Sequence, residues 1–389
     1  MTLIEFYDPV PIRNVLSALL LSPSRLILAG TEKDALQKAA ERIRVLLKGR
    51  NAKTEVITVC LKDMSYDTVS EGIEALILRY EDCMVDLVGG DPSLFTAMGA
   101  LAEKHGIKMH LANPADLSIT PFTKKEAYPS LCIPRLSVRE IISLYGGTIT
   151  ESSAPKIDDS AFRQDILTVF EVSKKNCGDF NAAISALHSL ITPEDISPTI
   201  SMKKIRETLS PQKAEKLFWL LYELSSVDAI TAYQKTETEI SFRYKSRVVQ
   251  AALHKEGSVL EFYTYYAALS DFGTAGFQDG KIGVVIAWDG EKDGVRNEID
   301  VMLMDNITPI FISCKNGYVG TEELYKLSVV SDRFGGPYAK KAIVMTRQKA
   351  DIVFLARARE LGISVISDVQ EMTLAGFSKY LKRTLKNKM

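Results

Sequence analysis

Four residues with possible chemical roles lie in the apolar-rich stretch NEIDVMLMDNITPIFISCKNG. Glu298 and Asp300 belong to one predicted strand, and Ser313 and Lys315 belong to the next. Side chains alternate across a strand, so each pair shares one face. If the turn is centred just after Asn306, Asp300 faces Ser313 and Glu298 faces Lys315, whereas a slip of one residue separates the faces. The stretch therefore predicts a hairpin on which two carboxylates and an ammonium converge.

A third acidic residue, Glu261, lies upstream in SVLEFYTYYAAL, a predicted helix rich in apolar and aromatic residues. An unpaired carboxylate in such surroundings is costly, so Glu261 is expected to have a partner. Paired carboxylates around a divalent ion suit phosphodiester cleavage, because the metal polarises the phosphoryl oxygen and lowers the pKa of a bound water. Oxygen ligands favour Mg²⁺ or Mn²⁺, and Lys315 would stabilise the developing negative charge.

The order of these residues resembles the core of the PD-(D/E)xK nucleases, with an acid on a helix, an aspartate on one strand and an acid-x-lysine on the next. Three residues match these roles: Glu261, Asp300 and Lys315. The acid before x-Lys is replaced by Ser313, so the resemblance implies that Glu298 substitutes or that the Cys314 carbonyl and Ser313 suffice. The alternative is an ordinary cross-strand ion pair on a solvated face.

The N-terminal part alternates between apolar strands and helical periodicity, which predicts a parallel, doubly wound α/β sheet. Ligands bind such sheets at the carboxyl ends of the strands. One predicted strand ends in Gly89, Gly90 and Asp91, and Pro92 then begins a helix. Glycines let backbone N–H groups approach a ligand, and a helix N-terminus favours phosphate. A plain tight turn explains the same residues.

This turn and the first loop, FYDPVPIRN, together resemble the CARF domain, the sensor of cyclic oligoadenylates in type III CRISPR defence. The resemblance covers residues 1–150 and implies a Rossmann-like domain that dimerises and binds the cyclic RNA across its two-fold axis. Many relatives have threonine before the paired glycines, where this chain has Val88. The matching ligand positions are Pro9, Pro11, Ile12, Arg13, Asn14, Gly89, Gly90 and Asp91.

The two resemblances combine in the CARF-containing CRISPR ancillary nucleases and span nearly the whole chain. They imply a sensor domain at 1–150, a helical connector at 151–225 and a restriction-endonuclease-like α/β domain at 226–389. The Ser/Thr/Gly/Pro-rich residues 146–159 are interpreted as a linker. The family further implies a homodimer that is activated by cyclic tetra-adenylate and cleaves DNA and/or single-stranded RNA with Mn²⁺ or Mg²⁺. Glu261, Asp300 and Cys314 would hold the metal.

The composition of the chain narrows the range of possible partners and functions. The net charge of −1 gives no strong field toward nucleic acid or membrane, so a nucleic-acid site must be a local patch. Five scattered cysteines without a CxxC pair fit a cytoplasmic protein, and no apolar run is long enough to predict a membrane partner. Two other functions stay open: a ligand-controlled nucleic-acid-binding regulator with a winged helix, and a ring nuclease that degrades its cyclic oligoadenylate.

Overall fold

The computed structural model describes residues 1–90, 92–122, 131, 133–192, 194–255, 257–288, 296–317, 319–346 and 352–386. Within these residues, two six-stranded sheets are joined by a mainly helical region with a small sheet of its own. No helix in this part of the chain has the length and apolar character needed to cross a membrane. The predicted α/β class is confirmed.

The N-terminal sheet has the strand order β3-β2-β1-β4-β5-β6. All neighbours are parallel except β5 and β6. This is the order of a Rossmann sheet, whose switch point lies between β1 and β4. The strands are β1 (Thr2–Phe6), β2 (Arg25–Gly30), β3 (Glu55–Cys60), β4 (Cys83–Asp86), β5 (Lys108–Asn113) and β6 (Ser118–Pro121). Strand β1 was not predicted from the sequence, although all its residues are buried at the centre of the sheet.

Helices cover this sheet where their sequence is amphipathic. They are α1 (Leu16–Leu21), α2 (Lys33–Gly49), α3 (Tyr66–Arg79) and α4 (Pro92–His105), whereas α5 (Val138–Leu144) packs against α2 and against β7, β11 and β12 of the C-terminal sheet. The Ser65 side chain caps α3, and Ser137 with Glu140 forms a capping box at the start of α5. Such caps satisfy the N–H groups that have no partner within the helix.

The middle region contains α6 (Ser160–Lys175), α7 (Cys177–His188), β8 (Thr199–Ser201), α8 (Met202–Thr208), α9 (Pro211–Ser226), β9 (Ile230–Lys235) and β10 (Glu239–Tyr244). The three strands form an antiparallel sheet in the order β8-β10-β9. Together with α7, α8 and α9 they have the element order of a winged helix. In that arrangement α9 takes the place of the recognition helix, but it carries two lysines and two glutamates and has no net charge.

The C-terminal sheet has the order β15-β14-β13-β12-β11-β7. Its strands are β7 (Gly147–Ser153), β11 (Asp279–Trp288), β12 (Arg296–Asp305), β13 (Thr308–Lys315), β14 (Lys340–Met345) and β15 (Ile363–Ile366). Its helices are α10 (Arg247–Ala252), α11 (Ser258–Leu269), α12 (Thr321–Gly335), α13 (Ile352–Glu360) and α14 (Leu374–Leu385). The linker interpretation of residues 146–159 is wrong where β7 forms, because this segment pairs with β11 as an edge strand. The domain boundaries at 150 and 225 stay predictions.

The turn between β12 and β13 sets the register of the candidate site. Asn306 adopts a left-handed conformation with φ +57°, which suits a two-residue hairpin turn. Val301 consequently pairs with Ile312, and Asp305 pairs with Thr308. Continued by one residue, this register places Asp300 opposite Ser313, as predicted.

One hydrophobic core connects the two ends of the chain. This core contains residues of the N-terminal sheet, of α2 and α5, of one face of the C-terminal sheet, and of α12. The other face of the C-terminal sheet packs with α6, α11 and α14 in a second core. Helix α12 is therefore packed between the nuclease-like sheet and the N-terminal domain.

Candidate active site and ligand pocket

Asp300 lies where β12 and β13 diverge. Its Oδ2 accepts hydrogen bonds from the backbone N–H of Cys314 at 2.7 Å and from Ser313 Oγ at 3.2 Å. Lys315 Nζ is 3.7 Å from the same oxygen. The structure therefore brings Asp300 and Lys315 together on the predicted face, and Ser313 orients the aspartate from the position where the nuclease pattern has an acid.

An open cavity of about 490 Å³ lies between these strands and α12. Glu298, Asp300, Lys315, Glu323 and Tyr325 line it. Lys315 Nζ is 3.2 Å from Glu323 Oε2, in the first turn of α12. Burial alone would lower the pKa of Lys315, but Asp300 and then Glu323 raise it above the ordinary value. The cavity thus presents a firmly protonated ammonium to any anion that enters.

Glu261 reaches the site from the first turn of α11, which begins after Gly257 in a left-handed conformation at φ +91°. Glu261 is 4% exposed. Its pKa is raised to about 7, mainly by burial and then by the negative charge of Asp300. Glu261 does not line the 490 Å³ cavity, although it lies close enough to Asp300 for that charge to raise its pKa.

Lys255 joins two of the acids. Its Nζ forms an ion pair with Glu298 Oε1 and lies 3.5 Å from Glu261 Oε1. Burial would lower the pKa of Lys255, but Glu261 and then Glu298 raise it. Glu298 therefore has Lys255 as its ion-pair partner among the described residues, although the strand register places it across from Lys315.

The site offers two carboxylates and a backbone carbonyl as oxygen donors for a divalent metal ion. Among the described residues, no three His, Cys, Asp or Glu side chains stand close enough to form a metal cluster. Two crowded carboxylates, from Glu261 and Asp300, are nevertheless the hard oxygen donors that Mg²⁺ and Mn²⁺ prefer. The Cys314 carbonyl oxygen lies near the start of α11, because a Cβ added at Gly257 would stand 3.7 Å from it. The Cys314 thiol is buried and its pKa is raised, so the thiol does not supply a charged ligand.

Sequence reasoning missed Lys255 and Glu323. Both lie near the N-terminal end of a helix beside the strand motif, in the stretches HKEGS and GTEEL. Nothing in their spacing distinguishes them from surface charges. Their roles depend on where α11 and α12 meet the hairpin, which is a property of the tertiary fold.

The first loop is held closed by its own side chains. Asp8 and Asn14 exchange two hydrogen bonds, of 2.7 and 2.6 Å, between backbone and side-chain groups. Ile12 is 2% exposed and packs in the core, so its side chain does not reach a ligand. Arg13 lines a cavity of about 290 Å³, whereas Pro9, Pro11 and Asn14 line a neighbouring one of about 620 Å³.

The glycine turn forms the other wall of the 290 Å³ cavity. Gly89 has φ +72°, and a Cβ there would stand 2.6 Å from the Phe6 carbonyl oxygen. Gly90 has φ +90°. Only glycine fits such a conformation and contact without strain. Asp91, the third predicted residue of this turn, lies outside the described residues.

A buried polar cluster lies directly below this turn. Ser17 Oγ donates a hydrogen bond to Asp86 Oδ2 and lies 2.9 Å from His110 Nε2. Burial raises the pKa of Asp86 to about 7 and lowers that of His110 to about 4. Glu5 is fully buried, and its pKa is raised by burial and then by Asp86. No pattern in the sequence indicates this cluster, since its members are far apart along the chain.

Known proteins resemble this chain in one domain by sequence and over its full length by fold. Residues 249–383 match the family model of the Card1-like endonuclease domain. A protein of Vibrio cholerae, VC1899, shares 18% identity over 100% of this chain and 99% of its own, with a TM-score of 0.76. Can2 from Sulfobacillus thermosulfidooxidans, solved with cyclic tetra-adenylate, shares 16% identity over 98% and 99%, with a TM-score of 0.69. No curated protein matches the chain significantly.

The fold is that of Can2 over essentially the whole chain. The family match covers α11, the β12–β13 hairpin and α12, which carry Glu261, Asp300, Lys315 and Glu323. Residues 249–383 are thus similar to a Card1-like endonuclease domain, and the whole chain shares its fold with Can2.

Proposed function

We propose that the protein is a metal-dependent endonuclease of type III CRISPR defence that cyclic oligoadenylate activates. One observation carries the proposal. Asp300 and Lys315 share a cleft 3.7 Å apart, with Glu261 beside them, inside the region that matches the Card1-like endonuclease domain. A solvated surface ion pair does not describe Glu261, because this carboxylate is 4% exposed and its pKa is raised by burial and then by the charge of Asp300, although Lys255 lies beside it.

In this proposal Glu261, Asp300 and the Cys314 carbonyl hold Mn²⁺ or Mg²⁺. When bound, such an ion polarises the phosphoryl oxygen and lowers the pKa of its water. Lys315 stays protonated and stabilises the negative charge that develops on the phosphate. The Cys314 N–H and the Ser313 hydroxyl fix the direction of the Asp300 carboxylate. Glu298, at the rim of the cleft, is a further candidate ligand.

The N-terminal cavity is the proposed site of the activator, cyclic tetra-adenylate. Arg13 offers a guanidinium, and Gly89 and Gly90 bring the backbone close to the ligand. The ligand in the Can2 complex supports this choice of ring size. A ligand on a two-fold axis would contact two protomers, so we propose a homodimer whose paired clefts receive DNA and/or single-stranded RNA.

The regulator alternative gains no support from the helix in the recognition position. Helix α9 has no net charge, and its Lys216 and Glu223 pair with Asp179 and Lys175 of the same region. Phosphate binding depends on unpaired basic side chains. The endonuclease therefore remains the function that the geometry supports best.

Cleavage assays with the Asp300→Asn variant test the proposal. Purified protein is incubated with Mn²⁺, with or without cyclic tetra-adenylate, and with labelled plasmid, single-stranded DNA or single-stranded RNA. Asp300→Asn should lower cleavage by about 100-fold or more while binding the activator normally. Asp67→Asn, which changes an exposed aspartate in the first turn of α3 outside the described cavities, is the control and should cleave normally. Full activity of Asp300→Asn would overturn the proposal.

A further inference from the structure

The ammonium of Lys255 contacts two acids, Glu261 and Glu298, that a bound metal ion would also neutralise. Its ammonium pairs with Glu298 Oε1 and lies 3.5 Å from Glu261 Oε1. The Lys255 side chain is 41% exposed, whereas that of Glu261 is 5% exposed. A partly exposed, flexible lysine therefore holds a buried carboxylate that belongs to the proposed metal site.

The charges of the site explain why a cation is required there. Besides burial, the negative charges of Asp300 and Glu298 raise the pKa of Glu261, so both acids lie within electrostatic reach of it. Lys315 is shared between Asp300 and Glu323. Lys255 is thus the cation that balances the Glu261 side of the cluster among the described residues.

We propose that Lys255 is a displaceable counter-ion of the metal site, which competes with the divalent ion for Glu261 and so sets its affinity. This inference rests on the proposed function, because it assumes that Glu261 and Asp300 hold the metal. Lys255 acts through Glu261 and is therefore a positioning residue. Because Glu298 is nearly half exposed at the rim of the cleft, Lys255 can keep that partner when it leaves Glu261.

The competition has a measurable consequence in the absence of substrate. Removing the ammonium but keeping the length of the side chain, as in Lys255→Met, leaves Glu261 free for the divalent ion. Mn²⁺ should then bind about tenfold more tightly, because one nearby positive charge no longer opposes it. If Lys255 only stabilised the start of α11, the Lys255→Met variant would show weaker or unchanged Mn²⁺ binding and a lower melting temperature.

Isothermal titration of the full-length protein with Mn²⁺ alone, at a pH of about 8.5 where Glu261 is ionised, tests this inference. Lys255→Arg keeps the charge and should bind Mn²⁺ like the wild type. Lys245→Met is the matched control, because Lys245 is 42% exposed and pairs with Asp165 away from the cleft. Asp300→Asn identifies the heat that belongs to this site. Unchanged or weaker Mn²⁺ binding by Lys255→Met overturns the inference, whereas absence of Asp300-dependent binding in the wild type overturns the proposed metal site itself.

Discussion

Arg13 Nε donates a hydrogen bond of 2.9 Å to Tyr338 Oη, which joins residues 325 positions apart. Arg13 also pairs with Asp8 at 3.1 Å and lines the proposed ligand cavity. Tyr338 follows the C-terminal end of α12, whose first turn carries Glu323 beside Lys315. A single helix of 15 residues, about 22 Å long, therefore runs from the ligand cavity to the cleft.

Tyr338→Phe should weaken the link between the activator and the nuclease. The substitution removes a hydrogen bond to a charged group, which contributes about 1.5–3 kcal/mol. The ratio of cleavage with saturating cyclic tetra-adenylate to cleavage without it should fall about fivefold or more. Tyr222→Phe, on an exposed face of α9, is the control. An unchanged ratio would show that the coupling does not pass through this contact.

Much of the fold could be predicted from the sequence, because the spacing of apolar residues in each segment matches the face that the segment buries. The alternation of strands and helices predicted for the N-terminal part is observed, and α4 begins at Pro92 as predicted. β1 was missed because a five-residue strand that is buried on both faces shows no alternation. β7 was taken for a linker because most of its residues after Ile149 are exposed at the edge of the sheet.

The strand part of the site was also predictable, because the hairpin turn fixes the strand register, and the register determines which side chains share a face. The ion pairs of these side chains were not predictable from the sequence. Glu298 was expected across from Lys315, but it pairs with Lys255, which arrives from another element. Likewise, Lys382 in the basic C-terminal helix α14 is 1% exposed and donates to the carbonyl of Thr274. Long charged side chains pair with residues from any element that lies near them in the fold. The spacing of residues in the sequence does not reveal these partners.

Glu323→Gln should impair the nuclease by releasing Lys315. Without the Glu323 charge, the pKa of Lys315 falls, because that charge is one cause of its elevation. The basic limb of the pH–rate profile should shift to lower pH. Lys315 stays protonated near neutral pH, but cleavage there should fall by roughly tenfold because the ammonium loses the 3.2 Å contact that positions it. Glu322→Gln changes the neighbouring acid in the same helical turn and serves as the control. A profile identical to that of the wild type would exclude this role for Glu323.

Gly89→Ala should destabilise the N-terminal domain and abolish binding of cyclic tetra-adenylate. The new Cβ would meet the Phe6 carbonyl oxygen at 2.6 Å in a backbone with φ +72°. A cost on the order of 3 kcal/mol is expected from strain and contact together. Urea unfolding measures the stability, and fluorescence titration measures the binding. Gly99→Ala, in α4 with open space around its Cα, should instead stabilise the protein by up to about 1 kcal/mol.

Asp86 and His110 should give opposite pH dependences of stability in the wild type. Folding raises the pKa of Asp86 from 3.8 to about 7, so its contribution to stability falls as pH rises through this window. Folding lowers the pKa of His110 from 6.5 to about 4, so its contribution rises with pH between these values. Relative to the wild type, Asp86→Asn should therefore gain unfolding free energy between about pH 4.5 and pH 6, by up to about 1.4 kcal/mol per pH unit, and His110→Gln should lose a similar amount. Urea unfolding across this range measures both differences, and parallel curves for the three proteins would show that neither group changes its pKa on folding.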